Sequence, residues 1–239
     1  MNTRQIITFP KDKRGLRSKL EKQGVEPLAV RDRVCKKLLI TGTGRCGTTH
    51  LWKLLNKVGM DVGHEYVGMH AHGVASMWFH TDARWYPNLH QQSEPKAHVG
   101  ERRSDFVFYH TYHLIRTPLK TIPSMAKVFS ALHYDWFEEN GFCPVGIKSK
   151  TLRCAYTWLN VNKHCESISR STLRIEDINA WWPALGRGGV IPQVEMPVMK
   201  PQNRGTGYRS SEALTYEDLK LLDGALTDEL YAYAKDWGY

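Results

Sequence analysis

At 239 residues the chain is long enough to bury one substantial core and needs no division into two domains. With 41% hydrophobic and 24% charged residues it matches an ordinary globular protein, which excludes fibrous and disordered classes. No run approaches the ~18 apolar residues of a membrane span, and the formal charge of +9 points to an anionic partner without saying which.

The N-terminus, MNTRQIITFPKDKRG, is polar and basic and lacks the apolar core of a secretory signal, so a soluble, cytoplasmic protein is expected. Residues 1–30 are charged and weakly periodic and read as an arm; residues 31–239 read as a single domain. A buried strand is predicted at Lys37–Thr41. It is followed by the loop TGTGRCGTT and a helix carrying Leu51, Leu54, Leu55 and Val58 at helical spacing. A second short strand is expected at Met60–Gly63, ending near His64 and Glu65. Residues 82–104, rich in Pro, His, Gln and Arg, read as a long loop with partial helix.

Phe106–Arg116 reads as an aromatic-rich strand, with Pro118 opening the next helix. Leu152, Tyr156 and Leu159 mark a further helix, and Ser171–Ile175 a further strand. Thr215 with Asp218 forms an N-cap pair for one amphipathic helix running through Leu219, Leu222, Leu226, Leu230 and Tyr233. Strands alternating with helices predict an α/β fold with a central, mainly parallel sheet flanked by helices. The five cysteines are odd in number and have no CxxC spacing, so they read as free thiols, and no metal site is expected.

The loop after the first strand admits three readings. Gly42 and Gly47 have the spacing of a phosphate-binding P-loop, but Thr48 stands where that motif carries its lysine, which argues against triphosphate hydrolysis. Gly42, Gly44 and Gly47 also spell G-x-G-x-x-G, with Asp61 and Glu65 near the distance of a ribose-binding acid, as in a Rossmann-type NAD(P) oxidoreductase. Arg45 and the Thr48–Thr49 pair are extra to that fingerprint. A non-catalytic nucleotide- or nucleic-acid-binding module is the remaining alternative. Basic and aromatic residues do not interleave clearly along one face, so no nucleic-acid partner is expected.

Arg45-x-Gly47-Thr48-Thr49, together with Arg116, Pro118 and Ser124 in HLIRTPLKTIPS, resembles the donor-binding motifs of the sulfotransferase family. The match is nearest to its tyrosylprotein and carbohydrate branches. TLRIEDI (Thr172–Ile178) and the C-terminal helix ending in Gly-Tyr are similar to segments of that family too. The resemblance implies a P-loop-containing nucleotide-binding fold and transfer of a sulfuryl group from 3′-phosphoadenosine-5′-phosphosulfate to a hydroxyl or amine. The acceptor would be a small molecule, glycan or peptide, and no metal is needed. It places Gly44, Arg45, Cys46, Gly47, Thr48 and Thr49 around the 5′-phosphosulfate, and Arg116 and Ser124 around the 3′-phosphate. Arg204, in the basic loop that also holds Lys200, Asn203 and Arg209, would fold over the nucleotide. Arg45 would bear on the bridging oxygen. Glu65 is the first candidate for general base, and His64 is its rival because strand alternation points the two side chains to opposite faces. His70 and His72 are further candidates. Cys46 reads as a small filler rather than a nucleophile, and Trp158, Trp181 and Trp182 as core or substrate wall.

Overall fold

The computed structural model describes residues 33–67, 70–82, 103–199 and 213–239. Among them, five strands form one wholly parallel sheet: β1 (Val34–Thr41), β2 (Val62–His64), β3 (Gly73–Ser76), β4 (Phe106–Ile115) and β5 (Ser171–Arg174). Their order across the sheet is β2-β3-β1-β4-β5. Helix α1 (Thr48–Lys57) follows β1. Between β4 and β5 lie α2 (Pro118–Val128), α3 (Ala131–Glu139) and α4 (Lys150–Ile168). After β5 come α5 (Ile178–Arg187), α6 (Tyr216–Leu222) and α7 (Gly224–Asp236).

Strand alternation sorts the apolar side chains to two faces. Leu38 and Ile40 of β1, with Tyr112 and Leu114 of β4, pack against Leu51, Leu54 and Leu55 of α1 and Trp182 and Leu185 of α5. On the other face, Ile115 joins Ile122 and Met125 of α2, Trp136 of α3, Trp158 and Leu159 of α4, and Leu230 of α7. Trp158 and Trp182 are therefore core residues, whereas Trp181 is half-buried and donates its indole N–H to the Arg174 carbonyl. Each fully buried large apolar side chain contributes about 1.5–3 kcal/mol, and such residues line both faces of β1 and β4.

Several sequence expectations meet a different chain. β1 begins three residues early, at Val34, because the buried Lys36 ammonium donates to the His70 carbonyl and so tolerates the interior. The Thr215–Asp218 capping box is present. The expected single terminal helix, however, breaks at Asp223. That residue is extended, accepts from Leu226 N–H at 3.0 Å and from the Tyr156 hydroxyl at 2.8 Å, and so caps α7 afresh. Strand β3 and helices α3 and α5 had no counterpart in the sequence reading. β3 is four small, fully buried residues without a period, and α5 carries an internal Pro183. Residues 1–32, with the expected arm, and 83–102, with most of the expected long loop, lie outside the described residues; 103–105 form a single 3-10 turn.

A polar seam lies under α4. His113 of β4 bonds Asn162 at 2.9 Å and Thr172 at 3.1 Å, and His80 sits in a box of Trp136, Phe142 and His164 rings. Burial pushes the His80 imidazole down to about 3, helped by His164 and His113, and burial pushes His113 down to about 4. Both values fall below the ordinary histidine range, so their neutral forms stabilise the fold fully above pH ~6.5, and the contribution is lost as pH falls. Each group removes about 1.4 kcal/mol per pH unit until its folded value is reached. Melting scans are expected to give a constant melting temperature between about pH 7 and 8 and a steep fall from pH 6.5 to 5. His80→Phe, which suits the aromatic box, should reduce that slope.

Candidate functional site

The strand order reverses direction at β1. Its onward connection leads to the β2 side of the sheet, whereas β4 leads to β5 on the other side. In open parallel sheets the crevice at such a switch point, outside the carboxyl ends of the strands, is where ligands bind. Register aligns these ends, with Thr41 level with Ser76 and His113, and Ile115 level with Arg174. The 42–47 loop, Glu65, Met77, Arg116 and Ile175 are therefore brought to one edge.

The two end glycines of the loop have separate physical reasons. A Cβ on Gly42 would lie 2.1 Å from the Leu114 carbonyl oxygen, so the loop crosses β4 at backbone contact. Gly47 has φ +114° and caps α1, and a Cβ there would meet Ile175 at 2.9 Å. Gly44 packs on Phe129 and Met77. The Cys46 side chain is wholly buried beneath the loop, and burial pushes its thiol up to about 12, so it is a neutral filler. The start of α1 has no side-chain cap, which leaves its backbone N–H groups directed at the crevice. Thr48 is buried, and the half-buried Thr49 places its hydroxyl 3.0 Å from His64 Nε2. Thr43, which the sequence reading passed over, has a buried hydroxyl with no hydrogen-bond partner among the described residues.

Arg45 meets the far wall of the crevice: its Nε donates to Ser124 Oγ of α2 at 3.0 Å, and its carbonyl accepts from Arg116 Nη1 at 3.2 Å. Arg116 in turn is steadied by Trp158 Nε1, which donates to its carbonyl at 3.2 Å. Arg116 makes no ion pair with a carboxylate among the described residues, and its half-buried guanidinium meets only the Arg45 carbonyl there. Glu176, on the β5 side, accepts from the Thr117 N–H at 3.4 Å and the Tyr239 hydroxyl at 2.8 Å.

The acid side of the crevice corrects one expectation. Glu65 has φ +65°, so strand alternation stops at His64 and the two side chains converge, with His64 Nε2 3.3 Å from Glu65 Oε1. His64 also rests on the Trp52 ring, with centroids 5.3 Å apart. One ring nitrogen meets both Thr49 and Glu65, so the trio is not a nucleophile–base–acid relay, which needs both nitrogens. Among the described residues, Arg45 (φ +69°) and Glu65 are the only non-glycine residues with positive φ. Such left-handed residues store strain of order 1–3 kcal/mol and cluster at functional sites.

Other candidates are drawn elsewhere. Asp61 Oδ1 bonds His70 at 2.6 Å, and the Asp61 N–H donates to His72 Nδ1 at 2.9 Å. All three sit at the amino edge of the sheet, away from the loop, because Asp61 precedes β2. Among the described residues no group of three potential metal ligands occurs. Nor is any helix there long and apolar enough to cross a membrane. Arg204, with Lys200, Asn203 and Arg209, lies outside the described residues. A scan against protein-family models and searches of curated proteins and of solved structures give no match to this chain.

Proposed function

We propose that the chain is a sulfotransferase that takes a sulfuryl group from 3′-phosphoadenosine-5′-phosphosulfate and passes it to a hydroxyl or amine. The observation that carries the reading is Arg116: a half-buried cation at a strand end, without a carboxylate among the described residues, that donates to the Arg45 carbonyl while the Arg45 side chain reaches Ser124. An arginine fork with a hydroxyl suits a phosphate monoester. The 42–47 loop and the uncapped α1 terminus then form a P-loop-like cradle for the 5′-phosphosulfate. Acceptor attack breaks the bond between sulfur and the bridging oxygen, which leaves as a phosphate oxygen of adenosine 3′,5′-bisphosphate. Arg45 relieves the charge that grows there, and Glu65, with His64 beside it, takes the acceptor's proton. A small molecule, a glycan or a peptide could supply the acceptor hydroxyl.

The dinucleotide reading loses one of its two candidate acids in this geometry, since Glu65 stays at the crevice but is held by Ser76 and Met77 of β3 and the residue after it. β3 intervenes between β1 and β2, unlike the 3-2-1 order of a dinucleotide fold, and Asp61 lies at the opposite edge. Thermal melting separates the readings. At one hundred times its dissociation constant the bisphosphate stabilises by about 2.7 kcal/mol, a rise of roughly 5–10 °C for a chain of this size. NADH and single-stranded DNA should leave the melting temperature unchanged. Stabilisation by NADH and not by the bisphosphate would overturn the proposal; where the bisphosphate does stabilise, turnover of radiolabelled donor across an acceptor panel names the substrate.

A further inference from the structure

We infer that Ser76, at the end of β3, is the positioning residue for the Glu65 carboxylate and dictates which of its oxygens does the chemistry; this rests on the sulfotransferase reading. Ser76 Oγ donates to Glu65 Oε2 at 2.8 Å, and the Met77 N–H donates to the same oxygen at 3.0 Å. The hydroxyl has no freedom to turn away. Its oxygen accepts from the Trp78 N–H at 3.0 Å, so its single proton is directed at the carboxylate. Ser76 is wholly buried, and water cannot replace it. The backbone is fixed at the same place, since the Glu65 N–H donates to the Ala75 carbonyl at 3.2 Å and Glu65 is held in the left-handed region.

The consequence is an asymmetric carboxylate. Oε2 is occupied by two donors from β3, whereas Oε1 faces His64 Nε2 at 3.3 Å, with Thr49 at the start of α1 beyond it. Oε1 is therefore the oxygen that accepts the proton of an acceptor hydroxyl lying between β2 and α1. In the step itself the acceptor O–H bond breaks toward Oε1 as the acceptor oxygen bonds to sulfur and the bisphosphate departs. A carboxylate free to swing would present Oε1 only part of the time, and a displacement of about 1 Å can cost on the order of 10²-fold in rate.

The test measures release of adenosine 3′,5′-bisphosphate from the donor with 4-nitrophenol or water as acceptor, alongside melting with the bisphosphate. In Ser76→Ala the thermal shift and the donor KM are expected to stay at wild-type values while kcat falls on the order of 10²-fold. Ser76→Thr, which keeps the hydroxyl, should recover most of it. In a Glu65→Gln background, adding Ser76→Ala should change kcat no further, as residues acting through one another do. An unchanged kcat in Ser76→Ala, or the same loss in both backgrounds, overturns the inference and leaves the proposed function standing. A wild-type protein that the bisphosphate does not stabilise overturns the proposed function, and the inference with it.

Discussion

Arg45→Ala is expected to lower donor turnover by about 10²–10³-fold, or 2.7–4 kcal/mol, the loss seen when one oxyanion donor is removed. The expectation rests on position and on what the substitution leaves untouched. The guanidinium lies in the crevice on Ser124, while the carbonyl that receives Arg116 Nη1 belongs to the backbone and survives the change. Alanine keeps the Cβ and so inherits the left-handed strain at φ +69° rather than adding any. Melting temperature should fall by only a few degrees, for the lost bond to Ser124, while kcat falls by the larger factor. A variant that melts normally and sulfates at near-normal rate would remove Arg45 from the chemistry.

Arg116→Ala should act on binding instead. A charge-assisted fork to a phosphate is lost, and affinity for adenosine 3′,5′-bisphosphate should weaken by about 10- to 10²-fold, corresponding to the 1.5–3 kcal/mol of hydrogen bonds to charged groups. Adenosine 5′-monophosphate, which lacks the second phosphate, should bind the variant and the wild type within a few-fold of each other. Titration calorimetry with both nucleotides checks this. Equal losses for the two ligands would move Arg116 from the 3′-phosphate to the 5′ side. Arg116→Lys should recover only part of the affinity, because an ammonium supplies charge without the planar pair of donors.

Both predictions trace to residues the sequence singles out, and the reason is local chemistry. A strand ending in glycines, a basic residue in the turn and hydroxyls at a helix start are written in consecutive positions, and backbone sterics alone turn them into a loop on a helix N-terminus. The Arg116–Pro118–Ser124 spacing is local in the same sense: proline opens α2, and Ser124 lies about two turns along it. What the sequence left open is how the two segments meet. His64 and Glu65 illustrate the limit, since alternation predicts opposite faces and only the left-handed turn at Glu65, held by the end of β3, brings them together. β3 itself carries no readable pattern because both of its faces are buried, which erases the alternation that marks a strand.

By itself, then, the sequence determined the α/β alternation, the loop between β1 and α1, the helix start at Pro118 and the capping box at Thr215, each a matter of neighbours within a few residues. The tertiary structure decided the order β2-β3-β1-β4-β5, which puts the 42–47 loop beside Arg116 and Asp61 at the far edge. It also decided that Arg45 reaches Ser124, 79 residues away, and that Ser76 holds Glu65. Those are contacts between segments distant in the chain, set by how apolar faces are buried on both sides of the sheet, and no local pattern encodes them.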